Sequence, residues 1–232
     1  MGALSDFVSG GGIISKYEEF TTSGTWTKDP AATWVYVECI GGGGGGADRS
    51  ASFPGDANGG AGGEFLSRIF TASDLSASET VTVGSGGLGG NDSGGSSGGN
   101  SAFGSYLTAL GANGGGQSAS ITSMPRSSSG DIPSADAALF IKHITFSQSS
   151  NGGSRTLRGG NCIYGGAGGG GTDGGGRGLG GSSEFGGNGG DGNADSGISG
   201  GSGQFPGGGG GGSNNGGGGG DGGDGVIRIW QW

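Results

Sequence analysis

The chain is poor in most of what catalytic chemistry uses. It has one histidine, His143, and two cysteines, Cys39 and Cys162. A zinc cluster cannot be assembled from so few ligands, and two cysteines do not make a disulfide scaffold. Lysine occurs only at Lys16, Lys28 and Lys142, and the net charge is −9. A nucleic-acid binder needs a basic patch to displace counterions, so that class is excluded. No apolar run approaches the ~18 residues of a membrane span, which argues against membrane insertion. The first twenty residues lack a basic region followed by an apolar block, so no signal peptide is visible. Five prolines and no strict Gly-X-Y period exclude collagen. Leu, Ile, Val and Phe together make about 16% of the chain, under the ~20% below which disorder is suspected. A conventional oily core cannot organise the whole length.

What the chain has is glycine, 70 of 232 residues, where ordinary usage is ~7%. It is concentrated in runs at 41–46, 165–171, 207–212 and 216–220. Between runs lie blocks rich in β-branched and aromatic residues, as strands require. They are Thr25–Thr27, Thr33–Ile40, Glu64–Phe70, Glu79–Val83, Phe103–Leu110, Leu139–Phe146 and Val226–Trp232. In Thr33–Ile40 the period of two puts Val35, Val37 and Cys39 on one face and Trp34, Tyr36 and Ile40 on the other. Both faces are apolar, so this strand is expected to be covered on both sides. Ser73-Asp74-Leu75-Ser76 reads as one turn capped by Ser73. Cys39 is expected to be a small buried residue. The C-terminal block carries two of four tryptophans and is expected to pair with the early strands, closing one unit.

Glycine of this density has two physical readings. One is a flexible linker, since glycine loses the most entropy on ordering. The other is a packed layer of polyglycine II helices, threefold and without internal hydrogen bonds, whose N–H and C=O groups pair with neighbouring helices. The interruptions favour the second. Asn91-Asp92-Ser93, Asn188, Asn193-Ala194-Asp195, Pro206 and Ser213-Asn214-Asn215 are turn formers, and Phe103, Tyr164, Phe185 and Phe205 bracket the runs. A linker needs neither. The fold class is therefore all-β with polyglycine II helices, a small sheet framework carrying a packed glycine-rich layer.

Phe20-Thr21-Thr22-Ser23-Gly24-Thr25-Trp26-Thr27, then Trp34-Val35-Tyr36-Val37 and the run from Gly41 to Gly46, resemble the glycine-rich domain of bacteriophage tail-fibre and tail-tip adhesins. The likeness continues through Thr80-Val81-Thr82-Val83-Gly84, at Ser182 to Gly190 and at Gly222 to Trp230, covering roughly 20–232. It implies a virion tail protein, made in the host cytoplasm, that binds a protein or polysaccharide receptor on the bacterial surface through distal loops. It also implies a homotrimer, or a place on a trimeric fibre. The expected organisation is one domain over 20–232 behind a segment at 1–19, in which Leu4, Phe7, Val8, Ile13 and Ile14 would attach it to other tail proteins. A non-receptor virion decoration or tail-completion protein is the alternative.

Motifs of chemistry are weak. At this glycine content GxGxxG strings arise by chance. Asp173, Asp191 and Asp221 each end a GGxGxD string, but the apolar residue of the calcium repeat is missing two positions on. Glu18 and Glu19 are adjacent, so a strand sends them to opposite faces. No Gly-x-Ser-x-Gly elbow is set between strand and helix, so no enzyme activity and no cofactor are expected. Two loops are the expected receptor contacts, 48–56 with Arg49 and Phe53, and the long glycine-poor interval 117–158 with Arg126, Asp131 and His143. Aromatic and arginine side chains are enriched at binding hot spots.

Overall fold

The computed structural model describes residues 16–49, 55–118, 140–141, 158–173, 175–214 and 216–232. The chain is all-β, apart from a 3-10 turn at Ala72–Asp74 among the described residues. The main strands are β1 (Lys16–Phe20), β2 (Gly24–Thr27), β3 (Trp34–Ile40), β4 (Phe65–Thr71), β5 (Ser78–Thr82), β6 (Ser101–Phe103), β7 (Leu107–Ala109), β8 (Phe140–Ile141) and β9 (Val226–Gln231). Two antiparallel sheets result, ordered β1-β9-β3-β4-β8 and β2-β5-β6-β7. The C-terminal strand β9 lies between β1 and β3, with Ile229 opposite both Glu18 and Val37. It closes the framework, as its apolar character requires.

The sheets pack face to face. Val35, Val37, Cys39, Phe70, Ile227 and Ile229 from one meet Trp26, Val81, Phe103 and Leu107 from the other. Trp26 lies edge-on to Phe103 at 5.2 Å and is fully buried, although its indole N–H has no acceptor.

Four expectations change. On β3, Val35, Val37 and Cys39 are buried, but Trp34 is exposed and Tyr36 and Glu38 half-buried. Only Ile40 is covered on the second face, packed with Phe65, Val226 and Tyr164. The block Phe103–Leu110 is not one strand but a reversal from β6 into β7, turning at Gly104 with φ 51°. The turn near Ser73 starts one residue earlier, after Thr71, and has no side-chain cap; the Thr71 hydroxyl donates to Asp74 instead. Lys16–Glu19, grouped with the attachment segment, belong to β1. Within Leu139–Phe146, Phe140 and Ile141 pair with Arg68 and Ser67, and the rest lies outside the described residues.

Strands of both sheets run at one end into glycine segments, and these segments bond to each other. The N–H groups of 41–48 point outward with a period of three. Gly41, Gly44 and Ala47 donate to Glu64, Ala61 and Asn58; Gly42, Gly45 and Asp48 to Gly99, Ser96 and Ser93; Gly43 and Gly46 to Gly223 and Gly220. Carbonyls of the same segment accept from Ala112 and Gly115, from Gly87 and Gly90, and from Gly210 and Ser213. Six neighbouring segments thus surround it, and these bonds are all lateral. The segment 207–213 is embedded in the same way, donating to Gln204 and Gly201, to Ala167 and Gly170, and to Gly44 and Ala47. The donors repeat with a period of three and their bonds run between segments, so neighbouring segments satisfy the backbone groups.

The close approach explains the residue type. A Cβ added at any of Gly41–Gly46 would lie 2.0–2.2 Å from a carbonyl oxygen of a neighbouring segment. Where a segment lacks a backbone neighbour, side chains supply the acceptor. Asp224 and Asp221 Oδ1 accept from Gly86 and Gly89, and Asp191 Oδ1 from Gly180, each at 2.7 Å. Asn188 Oδ1 likewise accepts from the Ser183 N–H at 2.8 Å. Asp191 and Asp221, which each end a GGxGxD string, are therefore edge acceptors of the lattice. The Asp173 side chain lies outside the described residues.

Candidate functional site

The glycine layer has two dissimilar ends. Near the sheets, turns at 163–165, 184–186 and 205–207 carry Tyr164, Phe185 and Phe205. The Tyr164 ring stacks between Phe65 and Phe185, 5.3 Å from each, which staples the first two turns to the first sheet. The far end is polar. There Asp48 and Arg49 pair in parallel with Ser213 and Asn214, and Asn193 bridges to Ser213. Thr172 pairs with Arg177 and with Ala57, and Gln117 and Ser118 pair with Ala57 and Asp56. Side chains finish the turns: Asn193 Oδ1 accepts from the Asp195 N–H at 3.0 Å, and Thr172 Oγ1 donates to the Gly176 carbonyl at 2.8 Å.

This end buries unusual polarity. Asp48, Asn58, Thr172, Ser213 and Asn214 are at most 1% exposed. Asp48 Oδ2 accepts from the Asp92 N–H at 3.1 Å, with Asp92 in the left-handed region at φ 48°. Asp48 Oδ1 has no hydrogen-bond partner. Gln117 Nε2 donates to the Asp48 carbonyl, tying the start of one loop to the start of the other. These polar residues were invisible as a group in the sequence, because they are ordinary turn formers scattered over 48–214. Their common level follows only from the lateral register of the segments.

Of the expected contact residues, Arg49 lies at this end, half-buried beside Asn214. Phe53, Arg126, Asp131 and His143 lie outside the described residues. What the structure brings together is the base of the two loops, at Asp56–Ala57 and Gln117–Ser118. Neither cysteine is in a disulfide, and burial pushes the Cys39 thiol far up, which keeps it protonated and inert. Cys162 Sγ accepts from the Gly165 N–H at 3.2 Å. Glu18 and Glu19 do face opposite ways: Glu18 meets Lys16 and Gln231, and Glu19 meets Arg228.

Among the described residues no group of three or more His, Cys, Asp or Glu could hold a metal ion. Nor is any helix among them long and apolar enough to cross a membrane. What the far end offers is a hydrogen-bonding surface built on backbone fixed from several sides.

Comparison with curated proteins finds no match. A family model described as a glycine-rich domain matches residues 19–230, nearly the whole framework from β1 to β9, and the chain belongs to that glycine-rich domain family.

Proposed function

We propose that the chain is a receptor-binding module of a bacteriophage tail fibre or tail tip. Its far-end loops contact a receptor on the host surface, and its first fifteen residues join it to other tail proteins. The observation that supports this reading is the lateral bonding of the glycine segments. It fixes Asp56–Ala57, just after residues 50–54, side by side with Gln117–Ser118, just before residues 119–139. A binding loop gains affinity when its ends are ordered before contact, because less entropy is lost on binding. A flexible glycine tether would give no such advantage.

The test uses the full chain, fluorescently labelled, on a panel of intact bacterial strains. Saturable binding to some strains, lost in Phe53→Ala or Arg126→Ala and kept in a variant lacking residues 1–15, supports the reading. Binding indifferent to Arg49, Phe53, Arg126, Asp131 and His143 overturns these contacts. A chain that adheres to no strain, yet co-assembles with tail proteins through residues 1–15, is instead a structural tail component.

A further inference from the structure

We infer a second binding site, at the opposite end of the molecule, for a neutral oligosaccharide lying across the open face of the first sheet. The face not covered by the second sheet carries one register row from strand to strand: Tyr17 opposite Trp230, Trp230 opposite Tyr36, and Tyr36 opposite Ile69. Tyr17 and Tyr36 have ring centroids 5.0 and 5.3 Å from Trp230, so the row is a continuous aromatic band across three strands. Tyr17 is 48% and Ile69 38% exposed. At Ile69 the band reaches the edge of β4, where Trp34, Ile69 and Thr71 from the open face and Arg68, Phe70 and Tyr106 from the side of the second sheet, together with Asp74, line a cavity of about 330 Å³.

The lining selects the ligand. A volume of this order is at the small end of ligand sites, ~300–1,000 Å³, and suits a one- or two-ring molecule. Three aromatic residues give apolar walls whose negative faces attract weakly positive C–H groups. Arg68 supplies donors, and its guanidinium lies 4.6 Å from the centre of the Phe70 ring. Asp74 supplies acceptors, so the lining carries both signs and favours neither a cation nor an anion. A pyranose has this combination, with C–H faces for the rings and hydroxyls for both charges.

The row beside the band strengthens the assignment. Glu19, Arg228, Glu38 and Ser67 occupy the next outward register. Arg228 bonds Glu19 at 2.9 Å and approaches Glu38 at 3.9 Å. The Tyr17 and Tyr36 hydroxyls donate to Glu19 and Glu38 at 3.1 and 3.0 Å. An aromatic track thus runs alongside a fixed polar track, which fits a chain of sugars with one face apolar and an edge of hydroxyls. A terminal sugar occupies the cavity and the following units lie over Tyr36, Trp230 and Tyr17.

The experiment is a titration of the ¹⁵N-labelled full chain with glucose, galactose, N-acetylglucosamine, maltotriose and chitotriose, followed by amide and indole N–H shifts. The expected result is millimolar binding of at least one monosaccharide, with shifts at Trp34, Ile69 and Tyr106, and tighter binding of its trimer with added shifts at Tyr17 and Trp230. Trp34→Ala should weaken the trimer about tenfold or more, while Trp34→Phe keeps most of the affinity. Tyr17→Ala should weaken the trimer but not the monosaccharide. Each variant is compared only if its spectrum remains that of the folded chain. Shifts confined to the far-end loops, or no shift with any sugar at 50 mM (roughly the weakest affinity of interest), overturn the site. An extended decapeptide that perturbs Trp34 and Ile69 where no sugar does makes the cavity a peptide groove and likewise overturns it.

Discussion

The sandwich and the glycine layer are built from one continuous chain by opposite means. In the sandwich, side chains fill the space between backbones, and each strand bonds only to the strands beside it. In the layer, backbone fills the space itself, and a segment such as 41–48 bonds to six others. The first is stabilised by apolar area removed from water. The second relies on hydrogen bonds, each contributing a net ~0.5–1.5 kcal/mol against ~1–2 kcal/mol of backbone entropy per residue. Those magnitudes nearly cancel, so an isolated glycine segment has no reason to order. The layer holds because its segments are delivered in register by the sandwich strands and embedded on all sides. The sandwich tolerates changes of shape, whereas the layer has no slack to absorb them.

The sharpest way to break the comparison is to place one side chain where the layer has no room. A Cβ at position 44 would meet the Asn113 carbonyl oxygen at 2.1 Å, and the neighbour is backbone, which cannot swing aside. Gly44→Val is expected to prevent folding of the layer. The check is amide exchange, with protection lost across 41–48, 207–213 and 217–225 while β3 and β9 keep some. Unchanged protection would show that these segments are not packed as described. Gly116→Ala is the control: nothing lies within 4 Å of its Cβ, so the unfolding free energy measured in denaturant should change by less than ~0.5 kcal/mol.

Next in size is the sandwich. Trp26→Ala should cost about 3–5 kcal/mol, the range for deleting a buried large aromatic. Trp26→Phe should cost much less, because it also removes an indole N–H that has no acceptor. Equilibrium urea unfolding measures both. A large loss in Trp26→Phe would mean that the N–H is paired after all.

These effects also mark what could be read from sequence. Strands β2, β3, β4, β5 and β9 were legible because β-branched and aromatic residues alternate in them. β1 was not, since Lys16-Tyr17-Glu18-Glu19-Phe20 shows no apolar face until Trp230 and Arg228 supply its partners. The reversal at Gly104 was hidden because Phe103 to Leu110 has strand composition throughout. The layer was legible as an alternative to a linker, through its turn residues. Its hexagonal surroundings were not, because which run lies beside which is a matter of register between segments up to 180 residues apart, such as Gly43 and Gly223. The far-end polar cluster was missed for the same reason.

A smaller test lies at the edge of the layer, where side chains replace backbone. Asp221→Ala leaves the Gly89 N–H without its 2.7 Å acceptor. Gly89 is only half-buried, so water partly compensates, and the expected cost is about 1 kcal/mol, as for a typical hydrogen bond. Asp221→Asn should recover most of it, because the amide oxygen can accept the same bond. Thermal unfolding checks the pair. If calcium stabilised the native chain but not the Ala variant, the aspartate would be a ligand and not an edge acceptor.

The open sheet face gives the smallest effects, and they are ordered by pH. Burial, with the Glu38 carboxylate adding to it, pushes the Tyr36 hydroxyl up to about 12. The folded chain then holds a proton that the unfolded chain releases near pH ~10. The stability linked to it is complete below that value and is lost as pH rises through the folded value. On the acid side, the Arg228 guanidinium holds the Glu19 carboxyl below its usual range. Its contribution is present above the ordinary carboxylate range and is lost as pH falls through the lowered value. Glu19 is partly exposed, so this loss should be slight. Denaturation midpoints across pH therefore fall gently in acid, a fall that Glu19→Gln flattens, and fall in alkali, a fall that Tyr36→Phe flattens. Neither variant should alter the protection of 41–48, because the network touches only the sandwich. A change there would mean that the two halves are coupled through more than the strands they share.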